Sequence, residues 1–316
     1  MKTALRILFV LTVICTFSQL SLGLSINETW SGPADPTGWS IHSYQGTGFT
    51  TTGTARTNYL SNGYFQLTES SVGWERTTAL YTADTFSTSE SFSFQADYRV
   101  QTQSGRRGAD GLSFFWVDKS YLDSNSIDPA NLEGGYGKWQ GAPHGATSGD
   151  IGYYDGIRGY SFELDHEKDS KDEQLEYTHF IRITDWSHLA TNTQLDLKSN
   201  NDDFYENNGW QRAYFSFDGD TETFSYYLED LDDNGDPNGI KTEIVTFTID
   251  SLDFSGEGDP SGAYETFSEA YFGIAAGTGT DYAEHDIRNL TFVPEPATLI
   301  VLGLGGLFAV NRRKQN

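Results

Sequence analysis

Residues 91–98 read Ser91-Phe92-Ser93-Phe94-Gln95-Ala96-Asp97-Tyr98, with an apolar side chain at every second position. A period of two puts Phe92, Phe94, Ala96 and Tyr98 on one face of an extended strand, whereas a helical stripe would recur at three and four. The alternation returns at Ala213, Phe215 and Phe217 between Tyr214, Ser216 and Asp218, and at Phe224, Tyr226 and Leu228 between Ser225 and Tyr227. Such runs are half-buried antiparallel strands. Clusters of Gly, Asn, Asp and Ser punctuate them, and no stretch between the two apolar ends of the chain carries a helical pattern. The expected fold is all-β, an antiparallel β-sandwich forming one domain over residues 24–293. A loop-rich start before Tyr64 and a long connection from Lys119 to Gly156 are expected within it.

The ends of the chain predict where it goes. Lys2 and Arg6 precede an apolar run from Ile7 to Cys15, and Ser21-Leu22-Gly23 supplies small residues for cleavage, so residues 1–23 read as a secretory signal peptide. Cys15 is the one cysteine of the chain. An exported domain without disulfides depends on its core or on bound metal, and roughly 270 residues suffice for one large core. At the other end, Pro294-Glu295-Pro296 is followed by apolar residues 297–310 and by Arg312-Arg313-Lys314. That order resembles the PEP-CTERM sorting signal of exosortase substrates. The resemblance implies a tail at residues 294–316 with a hydrophobic anchor helix that holds the membrane until an exosortase processes it. It further implies a destination in the outer envelope, cell surface or extracellular (biofilm) matrix of a Gram-negative bacterium. The formal net charge of −25 argues against nucleic acid as a partner and suits calcium or a neutral or basic polysaccharide.

Chemistry concentrates in Gly159-Tyr160-Ser161-Phe162-Glu163-Leu164-Asp165 and in His179, which heads Phe180-Ile181-Arg182-Ile183. Glu163 and Asp165 stand two apart in a strand and so share a face. The intervening segment offers Asp169, Asp172, Glu173 and Glu176 as further oxygen donors. Hard oxygens suit Ca2+, and an imidazole suits a transition metal such as Mn2+. Taken alone, the segment reads equally well as an exposed acidic hairpin.

Two distant segments break that tie. Ala109-Asp110-Gly111 opens an apolar strand, and Ala270–Gly277 ends a strand in the glycine-rich Gly277-Thr278-Gly279, followed by Glu284-His285-Asp286-Ile287. Glu163 and His179 are sixteen residues apart, and Gly149-Asp150-Ile151-Gly152-Tyr153 precedes the metal-strand pattern. In this order, from about Ala79 to Phe292, the chain resembles the legume-type (L-type) lectins. The resemblance implies a concanavalin A-like jelly roll with a flat back sheet and a curved front sheet. It implies metal ligands at Glu163, Asp165, Glu167 (through its carbonyl), Asp169, Glu173 and His179, and a carbohydrate site of Asp110, Gly149, Asp169, Thr280, Asp281 and Tyr282. It also implies a cis Ala109–Asp110 peptide. Two positions depart from the family: Glu167 stands where an aromatic platform is usual, and Glu173 where a second bridging aspartate is usual. Trp139, Tyr153, Tyr154 and Tyr282 are the other aromatic candidates for that platform.

The function expected on these grounds is calcium-dependent binding of a glycan or extracellular polysaccharide, without catalysis. One alternative is a structural matrix domain that keeps the fold and binds nothing. A second is a laminarinase-like retaining glucanase, because Glu163-Leu164-Asp165-His166-Glu167 also resembles that family's Glu-x-Asp-x-Glu strand. Glu163 would then be nucleophile and Glu167 acid/base, but four residues of strand separate their Cα atoms by roughly 13 Å, against carboxyls about 5 to 5.5 Å apart in a retaining pair. Asp230–Gly235 begins like an EF-hand loop, yet Lys241 fills the twelfth position and Asn234-Gly235 reads as a hairpin tip. The Asn-x-Thr triplets at Asn27 and Asn289 read as chance.

Overall fold

The structure is a computed structural model that describes residues 24–30, 36–46, 53–55, 60–61, 63–69, 71, 73, 75–102, 111–129, 132–133, 144–145, 158–165, 179–185, 194–200, 209–232, 235–251, 264–278 and 283–294. In chain order its first strands are β1 (Ile26–Glu28), β2 (Trp39–Gly46), β3 (Gly53–Ala55), β4 (Leu60–Ser61), β5 (Tyr64–Gln66) and β6 (Glu75–Phe86). Next come β7 (Phe92–Thr102), β8 (Gly111–Asp118), the helix α1 (Lys119–Ser124), β9 (Leu132–Glu133), β10 (His144–Gly145), β11 (Gly159–Asp165) and β12 (His179–Asp185). The last are β13 (Gln194–Asn200), β14 (Gln211–Asp218), β15 (Thr223–Leu231), β16 (Pro237–Thr248), β17 (Ala270–Gly277) and β18 (Ala283–Pro294).

Sixteen of these strands form two antiparallel eight-stranded sheets. The back sheet runs β16-β15-β14-β7-β18-β5-β4, with β1 also on β18. The front sheet runs β13-β12-β11-β8-β17-β6-β2-β3, and β9 and β10 make a small separate ribbon. Strand order is far from sequence order. The three alternating runs nevertheless lie side by side as β7, β14 and β15, with Phe94 opposite Phe215 and Phe215 opposite Tyr226.

Their apolar faces meet the front sheet in one aromatic core. Phe94 lies 4.4 Å from Phe114 between ring centroids, and Phe162 lies 4.9 Å from Phe215 and 4.8 Å from Tyr226. Each ring that is fully buried contributes about 1.5–3 kcal/mol through removal from water. With no disulfide available, this interior holds the sandwich together. Leu24 and Ile26 are buried in it too, so the folded unit already includes Leu24.

The front sheet is apolar on both faces along β8, where all eight residues are buried. Leu112, Phe114 and Trp116 enter the main core, while Phe115 and Val117 join Leu80, Leu122, Tyr271 and Ala275 on the opposite face. Helix α1 brings Leu122 onto that second cluster. Asp118 caps the helix by accepting from the backbone N–H of Ser120 at 2.9 Å, which satisfies one of the free donors at the helix start. The sequence predicts no helix in this region, and α1 departs from that expectation because six residues are too few to show a 3.6-residue period. Gly273 pairs with Phe115, and a side chain at Gly273 would overlap the Phe115 ring. Glycine is needed there for close approach.

The hairpin between β15 and β16 forms where Asn-Gly predicts it, with Leu231 opposite Pro237. The Asp232 carboxylate accepts from the N–H of Asp236 at 2.9 Å, and Gly235 has a φ of 84°. Asn289, the second Asn-x-Thr residue, also has a positive φ at a bulge of β18 and donates to Asp97 at 2.8 Å.

Candidate functional site

The register of the front sheet assembles one end of it from four strands. Asp165, the last residue of β11, lies opposite Gly111, the first residue of β8; Gly111 lies opposite Gly277, the last of β17; and Gly277 lies opposite Arg76 of β6. On its other side, Asp165 pairs with Phe180, next to His179 at the start of β12. Directly opposed residues of neighbouring strands are about 4.5–5.5 Å apart. Three segments remote in sequence, ending or starting at Asp165, Gly111 and Gly277, therefore share one row with His179 beside it.

Glu163 belongs to the row two residues further in, Glu163–Ser113–Ala275–Thr78. Its neighbours along β11, Phe162 and Leu164, enter the core, so Glu163 and Asp165 hold the alternate positions of the strand. Ser113 and Thr78 are buried, and among the described residues neither Ser113 Oγ nor Thr78 Oγ1 has a hydrogen-bond partner.

Glu163 and Asp165 thus lie on β11, and His179 heads β12. Asp110, Gly149, Glu167, Asp169, Glu173, Thr280, Asp281 and Tyr282 lie outside the described residues, as do the Ala109–Asp110 peptide and the tail beyond Pro294. Among the described residues, no group of three His, Cys, Asp or Glu side chains is placed to hold a metal ion. Glu163 of the glucanase pattern lies on β11, and its Glu167 lies outside the described residues. Among the described residues, no helix is long and apolar enough to cross a membrane.

The His285-Asp286 pair lies in the back sheet, on β18, and its two side chains face opposite ways. His285 is fully buried beside Thr68, with Nδ1 2.7 Å from the Thr68 hydroxyl. The hydroxyl gives its one hydrogen to the carbonyl of Ala283 at 2.7 Å, so His285 Nδ1 is the donor to it. Burial pushes the imidazole down to about 3 and keeps it neutral. Asp286 takes two hydrogen bonds from Arg99, at 3.0 and 2.5 Å. Burial and the nearby Glu284 push its carboxyl up to about 8, against the pull of Arg99.

Comparison with solved structures settles the architecture. The seed lectin of Lotus tetragonolobus superposes with a TM-score of 0.53 at 18% identity, over 86% of this chain and 100% of that one. The chain has an L-type lectin-like fold. Lectin II from Ulex europaeus gives a TM-score of 0.51 at 14% identity over 85% of this chain and 97% of that one. The exoplasmic/lumenal domain of VIP36, solved in a Ca2+/Man3GlcNAc-bound form, gives 0.53 at 13% identity over 86% and 89%. No curated protein matches the chain. The family model of the PEP-CTERM protein-sorting motif matches residues 292–315, so the L-type lectin-like domain carries this sorting signal. The motif begins inside β18, whose last residue, Pro294, still pairs with Phe92.

Proposed function

We propose that this is an exported bacterial protein that binds carbohydrate without altering it, at the end of the front sheet where β8, β11, β12 and β17 meet. The observation that carries this reading is the row Asp165–Gly111–Gly277. It sets the strand end next to Asp110, the carboxylate strand and the strand end before Thr278 side by side. A carboxylate at Asp110 can accept from two sugar hydroxyls at once, and the N–H of Gly149 adds a donor. Thr280, Asp281 and Tyr282 form the wall that sets specificity.

Calcium would hold this arrangement through Asp165, Asp169, Glu173 and the carbonyl of Glu167, an all-oxygen set that suits its flexible shell. Glu163 and His179 are the candidates for a transition metal beside it. The solved VIP36 domain bound to Ca2+ and Man3GlcNAc supports both the metal and the ligand class. Asp110 and Asp169 would be fixed by such a metal before the sugar arrives, so binding would depend on a metal that the sugar need not touch. The PEP-CTERM motif supports export and exosortase processing, with delivery to a Gram-negative envelope or matrix. Clustering on a surface would raise the avidity of single weak sites.

The test is calorimetric titration of a bound glycan against the native protein, Asp165→Ala and Asp110→Asn. Both variants should lose binding while keeping the native melting temperature in chelator. Unchanged affinity in Asp165→Ala would remove the metal from the mechanism.

A further inference from the structure

The back sheet carries a second cleft, on its solvent face and on the opposite side of the sandwich from the proposed sugar site. Its volume is about 310 Å3, and its lining includes Ser93, Gln95, Tyr214, Ser216, Tyr227 and Lys241. Ligand clefts occupy about 300–1,000 Å3, so this one reaches the lower end of that range. The strand registers give it a linear form. One row of the lining crosses the sheet as Val293–Ser93–Ser216 and is continued beyond the cleft by Ser225 and Thr246, and the next row on that face is Thr291–Gln95–Tyr214–Tyr227, continued beyond the cleft by Glu243. The first row with its continuation spans five strands, or roughly 19 Å at the usual interstrand spacing.

The two rows differ in height and chemistry. The first is a floor of short hydroxyl side chains, ended by the exposed Val293. The second is a wall, in which the Lys241 ammonium lies 4.0 Å from the Tyr214 ring and 4.5 Å from the Tyr227 ring. Both phenols are steered outward from the rings to carboxylates, Tyr214 to Glu229 at 2.6 Å and Tyr227 to Glu243 at 3.1 Å. The rings are held in place, while the exposed ammonium over them is displaced at little cost. No Asp or Glu lines the cleft, although the chain contains 45 of them.

We infer that this cleft binds a linear, neutral polysaccharide lying across the strands. A row of hydroxyl and amide groups both donates and accepts, as sugar hydroxyls require. The tyrosine rings offer apolar faces for the C–H side of a pyranose. The strip offers no carboxylate to pair with a polycation, and the Glu243 flank together with the acidic surface opposes a polyanion. Such a cleft needs no metal and does not depend on the front-sheet site. Together the two sites would let one molecule bridge two glycan chains.

The experiment is native electrophoresis of the full chain, purified in detergent micelles, through gels containing galactomannan, hydroxyethyl cellulose, alginate or no polysaccharide, with EDTA throughout. At least one of the two neutral polymers should retard the protein, and alginate should not. Ser216→Trp and Ser93→Trp, which fill the floor from two strands, should each weaken retardation by about tenfold or more, whereas Asp165→Ala should migrate like the native protein. Two variants guard against a folding defect in one, and the thermal melt of each identifies it. The inference is overturned if neither neutral polymer retards the protein, if alginate alone does, or if both floor variants are retarded normally. It is equally overturned if light scattering shows a dimer that both variants dissociate, since the face would then belong to a second copy of the chain.

Discussion

Asp165 and Gly111 are direct partners in the ladder between β11 and β8. This pairing joins the end of the carboxylate strand to the residue after Asp110, and the glycine at the end of β17 completes the row. A register slip of one residue would send every side chain of β11 to the other face. Phe162 and Leu164 prevent the slip by burial, so the aromatic core itself fixes where the acidic residues stand.

Gly273 lies directly against the Phe115 ring of the second apolar cluster. Gly273→Ala should destabilise the fold by about 1–3 kcal/mol, because the new methyl overlaps the Phe115 ring. Phe115→Leu should recover part of the loss when the two changes are combined, since neighbours in contact are not additive. Urea unfolding of the two single variants and the double variant measures both effects.

Asp97 is buried under the outer surface of the back sheet and accepts from Arg212 at 2.5 and 3.1 Å and from Asn289 at 2.8 Å. Asp97→Ala leaves Arg212 and Asn289 without their acceptor. A loss of about 3–5 kcal/mol is expected, as for one partner removed from a buried pair. Chemical denaturation reads it directly, and Asp97→Asn should fall between the two.

Neighbouring residues on β18 impose opposite pH dependences. His285 has a depressed folded pKa of about 3, so its contribution is present above the ordinary histidine range and is lost as pH falls towards 3. Asp286 has a raised folded pKa of about 8, so its contribution is greatest below the ordinary carboxylate range and is lost as pH rises through 8. The native melting temperature should therefore drop with rising pH between about 4 and 8 relative to Asp286→Asn. The difference curve of the two proteins across that window is the measurement. A flat difference would show that Asp286 is charged at neutral pH.

Much of the sandwich is legible in the sequence because a half-buried strand writes its period directly. The runs at 92–98, 213–217 and 224–228 all become strands of the back sheet with the predicted faces inward. The continuous apolar run Phe114 to Val117 marks a strand buried on both faces, which the front sheet provides. What covers its second face was not legible: α1 is too short for periodicity, and Asp118 before Lys119-Ser120 was its sole local signal. Buried acids were also hidden, since Asp97 and Asp286 occupy outward positions that normally meet water and are covered there by Arg212 and Arg99. The back-sheet cleft escaped for a similar reason, as Ser93, Ser216 and Ser225 look like ordinary solvent-facing residues until the register lines them up. For the front-sheet end, the sequence reads Glu163 and Asp165 on one strand and His179 at the head of another, and these are β11 and β12. The loops that would complete it are too rich in Gly, Asp and Ser to carry a periodic signal.

The most direct test of the central claim is a glycan-array screen of the purified protein in calcium and again in a chelator. Binding that appears in calcium and disappears in chelator is the predicted result, and it would also identify the sugar. Silence under both conditions would contradict the account and favour a structural matrix domain.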